Sequence, residues 1–489
     1  MLIDWLAIAP EIALTVTALV VLLADLNLRG DAKQLIAPLA GIGTIVAMVF
    51  TVVLWGDRRE TFNGIFVVDD FAVVFKLLFL GSLLAILAIS WRFFAEGRFF
   101  QGEYYFLLLT SFVGMLVMPS ARDLLVLFVA LETVSIPAFV MAGLRKRSLY
   151  SSEAALKFFL IGVLSVALML FGMSLVYGFT GSTYLPDIAN AIAAMDTLEP
   201  LLLGAVMLVI VGFGFKISAV PFHFWAPDTY AGSPMPVAAM LAVASKAAGF
   251  AGLLIVAFVA FEPVAEIWAP VLGVLAILTM SLGNLVALQQ RDLIRLLAYS
   301  SIAQAGYILI PFGLARSGAD AATSNDAAVQ AVLFYLIAYA VMNIGAFGVA
   351  IAVNRRTGLR SVADYAGLAQ RSPLLALAFT TFLVSLGGAP PTVGLWAKYW
   401  ILRAVTVDIS ALGIALAIFL IINSVIAFFY YLRVIRTMWM DEAPAGLPAL
   451  QPGFNLSVVV VVLMFGTVLL GVLPGIAGNF ADVVTLAGG

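Results

Sequence analysis

Apolar runs recur along the whole chain and are separated by short polar stretches. A helix needs about 20 apolar residues to cross the hydrocarbon core of a bilayer, and these runs have that length. They lack the short alternating segments of a membrane barrel. The pattern predicts about fourteen membrane-spanning helices. They cover residues 4–25, 36–55, 69–91, 104–119, 122–143, 154–178, 201–224, 235–261, 266–288, 293–314, 327–353, 373–402, 409–437 and 455–474.

Two of these spans contain helix-breaking residues close to a lysine. In the seventh span, Pro221 follows Lys216. In the twelfth span, residues 387–391 read GGAPP and precede Lys398. Proline removes a backbone hydrogen bond and clashes with the preceding turn, so both helices should be broken. A broken helix inside a membrane is tolerated where protein or a wet cavity satisfies the freed backbone groups, as along an ion path.

A short repeat accompanies the paired breaks. Residues 122–125 (RDLL) open the fifth span and residues 291–294 (RDLI) open the tenth, from opposite sides of the membrane. The sequence therefore predicts an all-α polytopic membrane protein with two inverted-topology five-helix repeats and broken helices 7 and 12. The single membrane domain, 1–489, divides into N-terminal helices 1–3 (1–103), a first repeat of helices 4–8 (104–261), an inverted second repeat of helices 9–13 (266–437), and the last helix and tail (455–489).

Composition supports the membrane assignment and excludes several functions. The 489 residues are 64% hydrophobic and 11% charged, against roughly a quarter charged in soluble domains. With no cysteine and one histidine, the chain cannot form disulfides, cysteine-ligated iron–sulfur clusters or a bis-histidine haem site. A net charge of −2 gives no indication of nucleic-acid binding.

The distribution of Lys and Arg predicts the orientation, because basic residues accumulate in cytoplasmic loops. With the N-terminus outside, the inner loops hold Arg29, Lys33, Arg92, Arg98, Arg145, Lys146, Arg147, Arg291, Arg295, Arg355, Arg356, Arg360, Arg371, Arg433 and Arg436. The outer loops hold Arg58, Arg59, Arg122, Arg316 and Arg403. We therefore expect a multi-pass membrane protein with both termini outside, which in a bacterial inner (plasma) membrane would be the periplasmic side.

Four charges are predicted to lie inside the spans: Glu132, Lys216, Lys246 and Lys398. Each costs about 2.5–3.5 kcal/mol at the bilayer centre on insertion scales, so partners or water must offset the cost. Glu132 is the only acid that we place at mid-span. It either cross-links helices or acts as a counter-charge for a lysine, and each lysine either snorkels to an interface or relays protons.

Several other residues are candidates with open alternatives. Lys157 lies four residues after Glu153 in an i,i+4 arrangement that suits a structural or a functional role equally. His223 follows the break at Pro221 and is either a satisfied polar residue or a proton relay. Hydroxyl and amide side chains of the tenth span either line a water path or bond to the helix backbone. They are Tyr299, Ser300, Ser301, Gln304 and Tyr307, with Ser301 at the repeat position of Glu132.

These motifs resemble those of the antiporter-like subunits of respiratory complex I. The matching stretches are Glu132 after Arg122-Asp123, residues 214–228 (GFKISAVPFHFWAPD), Ser245-Lys246, and residues 291–304 (RDLIRLLAYSSIAQ). Residues 9–12 (APEI) and 153–160 (EAALKFFL) resemble the N-subunit group of bacterial NADH:quinone oxidoreductases. So does the length, which leaves no room for the lateral helix of the distal subunit.

The resemblance implies a role for each mid-span charge. Glu132 and Lys216 would form a switching pair, Lys246 the central relay, and Lys398 the route to the exit side. It also implies partners, namely other membrane-arm subunits, including a further antiporter-like subunit, and lipids. No cofactor is expected on this chain; NADH, FMN, iron–sulfur clusters and quinone are expected on partner subunits.

The sequence thus predicts a proton-translocating subunit of an NADH:quinone oxidoreductase, which is a translocase with no redox centre in this chain. Redox chemistry on other subunits would drive protons through the Glu/Lys relay. One alternative is a stand-alone cation/proton antiporter subunit of related fold, which would transport sodium by itself. Another is a non-conducting structural scaffold, in which Glu132→Gln would alter assembly and not turnover.

Overall fold

The computed structural model describes residues 3–96, 101–145, 147–318, 322–358, 360–407, 409–443, 453–482 and 484. Two basic residues used to predict the orientation, Arg98 and Lys146, lie outside the described residues. So do residues 485–489 at the end of the predicted tail.

Helices make up most of the described chain, as the apolar pattern predicts. In chain order they are α1 (Ala9–Asn27), α2 (Ile36–Val53), α3 (Asp70–Glu96), α4 (Gln101–Val117), α5 (Leu124–Ala142), α6 (Leu149–Thr180), α7 (Leu185–Ala193), α8 (Pro200–Lys216), α9 (Trp225–Gly232), α10 (Met235–Met240), α11 (Lys246–Ile255), α12 (Ala265–Ala287), α13 (Leu293–Leu309), α14 (Ala322–Thr357), α15 (Leu368–Arg371), α16 (Pro373–Gly387), α17 (Val393–Val407), α18 (Ala411–Met440), α19 (Phe454–Val472) and α20 (Gly475–Asp482). A short antiparallel hairpin of β1 (Arg59–Thr61) and β2 (Phe66–Val68) separates α2 from α3.

Within the described residues, 12 helical segments are long and apolar enough to cross a bilayer. They correspond to all the predicted spans except the seventh and the twelfth. Those two consist of shorter helices, α8 with α9 and α16 with α17. The prediction of an all-α polytopic membrane protein is confirmed, whereas the count of fourteen spans stays a prediction.

The two breaks lie where the sequence predicts them. α8 ends at Lys216, and the following turn contains Ser218 in the left-handed region with φ 61°. α16 ends at Gly387, and Gly388 follows with φ 91°. A positive φ is unusual for a residue with a Cβ, so Ser218 holds a less favourable backbone conformation than Gly388 does. Each break also contains a cis X–Pro bond, before Pro221 and before Pro391.

The starts of α5 and α13 share one local arrangement. Asp123 caps α5 with its side chain and forms a β-bridge with Tyr184, just beyond the end of α6. Asp292 caps α13 and forms a β-bridge with Ser361, just beyond the end of α14. A capping carboxylate satisfies amides that have no partner within the helix, which explains why the aspartate precedes each apolar run. The matched tetrapeptides therefore adopt matched structures.

Contacts of Asp228 place these two caps at opposite ends of the bundle. Asp228 binds Lys157 near the start of α6 and Arg295 in the first turn of α13. The Asp292 cap is therefore at the same end as the start of α6. The far end of the 32-residue α6 leads to the Asp123 cap. The two ends are called here the Asp123 face and the Asp292 face. α5 and α13 thus run in opposite directions, while the limits of the five-helix repeats stay a prediction.

The centre of the bundle is formed by the helices that carry the central lysine and its neighbours. The segments around α10–α11, α13 and α14 are the most enclosed of the long spans, whereas α18 and α19 present most of their surface outward. Outward-facing leucine, isoleucine and valine on α1, α2, α18 and α19 match a surface for lipid or for partner subunits. The chain therefore encloses its polar residues and exposes its apolar ones.

Candidate functional site

The three predicted mid-span lysines are all enclosed by protein. Lys216 is 2% exposed, Lys246 is 1% exposed and Lys398 is 7% exposed. None of them extends along the surface, as a snorkelling lysine would. In the described part of the chain, none of the three forms an ion pair with a carboxylate, and their hydrogen-bond partners are neutral oxygens.

Lys216 is the last residue of α8 and lies at the break. Its Nζ donates a hydrogen bond to the hydroxyl of Ser135 on α5 at 3.0 Å. Its stem packs against α11 because Gly249 has no side chain, and a Cβ there would lie 3.0 Å from Cγ of Lys216. Gly249 is one helical turn beyond Lys246. The missing Cβ therefore lets the first lysine approach the helix of the second.

Glu132 lies one turn before Ser135 on α5 and is partly buried. Among the described residues, its Oε1 is buried without a hydrogen-bond partner, and Glu132 forms no ion pair with Lys216. Residues three apart on a helix share a face, so Glu132 and Ser135 are alternative neighbours for the same amine. Glu132 and Lys216 therefore lie on facing helices, α5 and α8, but do not form an ion pair.

Lys246 begins α11, directly after a π-helical turn at Leu241–Ser245. Such turns often occur at functional sites because they shift side chains relative to a regular helix. Nζ donates to the carbonyl oxygen of Ser301 at 2.8 Å and to its hydroxyl at 2.7 Å. The predicted candidate Ser301 is thus a direct partner of the central lysine.

Lys398 lies on α17, after the second break. Its Nζ donates to the carbonyl oxygen of Gly387 at 2.5 Å and lies 5.0 Å from the centroid of the Tyr307 ring. Gly388 permits this approach, since a Cβ there would stand 2.8 Å from Cδ of Lys398. The break therefore supplies both the carbonyl that holds the amine and the space that the side chain needs.

Lys157 has more partners than the i,i+4 pattern predicts. It forms the expected ion pair with Glu153 at 2.7 Å and a second one with Asp228 on α9 at 2.8 Å. Asp228 also binds Arg295 of α13 at 2.7 Å. This network lies at the Asp292 face and is partly exposed, apart from the three enclosed lysines. It links helices of both halves of the chain through the segment that follows the break.

The remaining candidates differ in their surroundings. Gln304 is buried and hydrogen-bonded to three helices, whereas Tyr299 is only partly buried. His223 lies in the turn between α8 and α9, with its ring 4.6 Å from that of Phe224. Within the described residues, Nδ1 of His223 has no hydrogen-bond partner. Of these three candidates, Gln304 therefore has the most hydrogen bonds to other helices among the described residues.

One buried ion pair was missed by the sequence reasoning. Lys76 on α3 is 0% exposed and lies 2.8 Å from Glu11 on α1, which is 7% exposed. The ring of Phe66 also faces the ammonium, at 5.0 Å. Glu132 is thus not the only buried acid in the spans. Each partner lies in the first part of its helix. A charge at such a position is ordinarily assigned to the membrane interface, so the sequence did not single out this pair.

Comparisons with known proteins agree with this architecture. The chain matches the family model described as "NADH:quinone oxidoreductase/Mrp antiporter, TM" over residues 121–428. The subunit N 2 of an NADH-quinone oxidoreductase from Streptomyces griseus is 43% identical over 460 residues, which cover 91% of this chain and 84% of that protein. The subunit N from Trichlorobacter lovleyi is 38% identical over 477 residues, covering 97% and 96%.

Solved structures show the same fold. A chain of respiratory complex I from Thermus thermophilus matches with a TM-score of 0.78 at 31% identity, covering 97% of this chain and 99% of that one. A chain of the Mrp complex from a Dietzia species has a TM-score of 0.80 at 21% identity, covering 97% and 96%, and shares the fold. The chain therefore belongs to the NADH:quinone oxidoreductase/Mrp antiporter family, and within it to the antiporter-like membrane subunits of the subunit N type.

Proposed function

We propose that the chain translocates protons in the membrane arm of an NADH:quinone oxidoreductase, through a relay of Glu132, Lys216, Lys246 and Lys398. The observation that carries this proposal is the burial of three lysines whose partners, in the described chain, are neutral oxygens. Such an amine can release its proton without leaving an unpaired carboxylate behind. A buried charge with no such use would be a net cost to insertion.

Glu132 and Lys216 are the switch in this proposal. The separation of the two side chains, with Lys216 bonded to Ser135, is interpreted as the open form. Moving the amine by one turn along α5 would form the ion pair and favour its protonated state. Opening the pair would favour release of the proton toward Lys246, whose helix Lys216 contacts at Gly249.

Redox chemistry is assigned to partner subunits. This chain has no cysteine and one histidine, so it has no thiolate or bis-histidine set for an iron–sulfur cluster or haem. Among the described residues, no group of three or more His, Cys, Asp or Glu side chains could hold a metal ion. NADH, FMN, iron–sulfur clusters and quinone belong to other subunits of the complex, and a further antiporter-like subunit adjoins this one.

The orientation is part of the proposal and has a direct test. We assign the Asp123 face and both termini to the periplasmic side of a bacterial inner membrane. Because the chain has no cysteine, single variants Ser182→Cys and Arg433→Cys can be labelled in whole cells by an impermeant thiol reagent. Only Ser182→Cys, next to the Asp123 face, should react. Labelling of Arg433→Cys alone would show that the orientation is opposite to the one proposed.

The variant Lys216→Ala in the assembled complex tests the function. The measurement is the number of protons translocated per NADH oxidised in membrane vesicles. The expected result is a lower ratio with normal assembly. Lys33→Ala, which removes a surface lysine paired with Asp25, is the matched control and should leave the ratio unchanged. A normal ratio in assembled Lys216→Ala complex would favour the scaffold alternative, and sodium transport by the isolated chain would favour the stand-alone antiporter.

A further inference from the structure

A cluster of neutral polar side chains lies between Lys246 and Lys398. We propose that Gln304, held in place by Tyr335, is a positioning residue that orients the hydroxyl of Tyr431 for proton transfer between these two lysines. This inference rests on the proposed function, since it specifies one step of the relay. Neither tyrosine stands out in the sequence, but both are fully buried and contact Gln304.

The contacts of Gln304 settle which way its amide points. Nε2 lies 3.1 Å from the carbonyl oxygen of Leu386. A backbone carbonyl only accepts hydrogen bonds, so the nitrogen of the amide must face Leu386. Oε1 then faces Tyr335, whose hydroxyl donates to it. The amide is thus held between α14 and α16 in one orientation.

The same orientation sets the hydroxyl of Tyr431. Nε2 of Gln304 is a donor and lies 3.5 Å from this hydroxyl oxygen, so the phenol hydrogen is directed elsewhere. The hydroxyl of Ser300 is 2.5 Å away, and in a transfer toward Lys398 it donates to Tyr431. Ser300 directly precedes Ser301, the partner of Lys246. The cluster therefore reaches the residue next to the Lys246 partner in the chain, on the adjoining face of α13.

The other side of the cluster reaches Lys398. Gln304 donates to the carbonyl of Leu386, and Lys398 donates to the next carbonyl along the chain, that of Gly387. Tyr307 is one turn beyond Gln304 on α13, and its ring lies 5.0 Å from Nζ of Lys398. On α13, Ser300, Gln304 and Tyr307 are four and three residues apart and share one face, so this face extends from Ser300 at Tyr431 to Tyr307 at Lys398.

The proton balance of the step follows from these groups. Lys246 loses one proton and becomes a neutral amine, and the neutral amine of Lys398 gains one and becomes an ammonium. Between them, the hydroxyls of Ser300 and Tyr431 and intervening waters each accept a proton on oxygen and pass their own proton to the next acceptor, whereas Tyr335 keeps its proton in the bond to Gln304. Tyr335 and Tyr431 therefore stay neutral throughout. Gln304 keeps its own protons and determines where the phenols point.

A purely structural cluster is the competing explanation, because the same bonds cross-link α13, α14, α16 and α18. Removal of one buried hydrogen bond should lower the rate of an oriented transfer about two- to tenfold. The variants Gln304→Leu, Tyr335→Phe and Tyr431→Phe should therefore each lower proton translocation by that factor at a fixed rate of NADH oxidation. The assay uses the assembled complex in proteoliposomes.

The chain offers a matched control for the loss of a tyrosine hydroxyl. Tyr104 on α4 is fully buried, and its hydroxyl lies 2.8 Å from that of Ser90. The variant Tyr104→Phe removes a tyrosine–serine hydroxyl contact like the one between Tyr431 and Ser300. This contact lies away from the three lysines. It should translocate protons at the wild-type ratio. Equal effects of Tyr104→Phe and Tyr431→Phe would overturn the inference.

The variant Gln304→Glu tests positioning through the pH dependence of proton translocation. A cluster that only cross-links the helices would not change this pH dependence. A protonated Gln304→Glu side chain keeps the acceptor for Tyr335 and one of the two donor hydrogens of the amide, whereas its carboxylate only accepts. Proton translocation by Gln304→Glu should approach the wild-type level at low pH and fall as pH rises, while wild type changes less over the same range. A pH profile identical to that of wild type would contradict the positioning role.

Lys246→Ala separates failure of this inference from failure of the proposed function. If Lys246→Ala lowers translocation while Gln304→Leu, Tyr335→Phe and Tyr431→Phe behave like Tyr104→Phe, the relay stands and this step is wrong. If Lys246→Ala itself translocates normally, the relay is wrong as well. Reduced translocation in Lys246→Ala and in the three cluster variants, with a normal Tyr104→Phe, supports both.

Discussion

Lys216 donates its hydrogen bond to Ser135, at 3.0 Å, and not to Glu132 one turn earlier on α5. The amine therefore has two alternative neighbours on one helix face, a neutral hydroxyl and a carboxylate. The hydroxyl stabilises the separated form without adding charge. Ser135 thus becomes a determinant of how readily the proposed switch opens.

Ser135→Ala should shift the balance toward the closed ion pair, because the hydroxyl that competes with Glu132 is gone. We expect proton translocation to slow about two- to tenfold, the effect of one lost hydrogen bond. The measurement is the rate of proton translocation by the assembled complex at saturating NADH. Ser165→Ala is the control, since within the described chain the Ser165 hydroxyl bonds only its own helix backbone, at Ile161. Equal rates in the two variants would contradict the role of Ser135.

Gly388→Ala should disturb Lys398 directly. A Cβ at Gly388 would stand 2.8 Å from Cδ of Lys398 and would also occupy a left-handed position with φ 91°. We expect lower proton translocation at unchanged NADH oxidation by partner subunits. Gly181→Ala is a matched control, because Gly181 has φ 71° and a Cβ added there would meet no atom within 4 Å. If both variants lose translocation equally, backbone strain and not Lys398 is responsible.

Asp228→Asn should loosen the contact between the two halves of the chain. It weakens the ion pairs with Lys157 and Arg295, whose contribution to stability is small because water screens such partly exposed charges. The midpoint of thermal unfolding should fall, and the difference from wild type should shrink at high salt. Glu153→Gln removes only the pair within α6, which is more exposed, and should have a smaller effect. A larger effect of Glu153→Gln would contradict this assignment.

The buried ion pair between Glu11 and Lys76 should matter for stability, because breaking it should destabilise the folded protein. Lys76→Met leaves Glu11 buried without its partner, which costs about 3–5 kcal/mol for a buried ion pair. The double variant Glu11→Leu with Lys76→Met removes both charges and should recover most of the loss. Thermal unfolding of the purified complex, compared among the single and double variants, measures the coupling. Additive losses would show that the two charges do not interact.

The breaks could be predicted because their cause is local. Pro221 and the glycine–proline run at 387–391 disrupt a helix whatever surrounds them. The repeat that contains Asp123 and Asp292 could be found for the same reason, and the structure adds that both aspartates cap their helices. Each of these features is determined by a few consecutive residues, so one sequence is enough to find it.

The partners of the lysines could not be predicted, because they depend on how distant helices pack. Ser135 is 81 positions from Lys216, and the carbonyl of Gly387 is a backbone atom that no sequence pattern marks. The π-helical turn before Lys246 has no sequence signature either. Glu11 and Lys76 were missed because each lies near the start of an apolar run, where a charge normally reaches the interface.

One measurement tests the relay most directly. It is the ratio of protons translocated to NADH oxidised by the assembled complex that carries Lys246→Ala. Lys246 is 1% exposed and is bound by Ser301 alone among the described residues, so its removal interrupts the route without breaking an ion pair. The relay predicts a ratio below that of wild type in a complex with its full set of subunits. A wild-type ratio in that complex would contradict it.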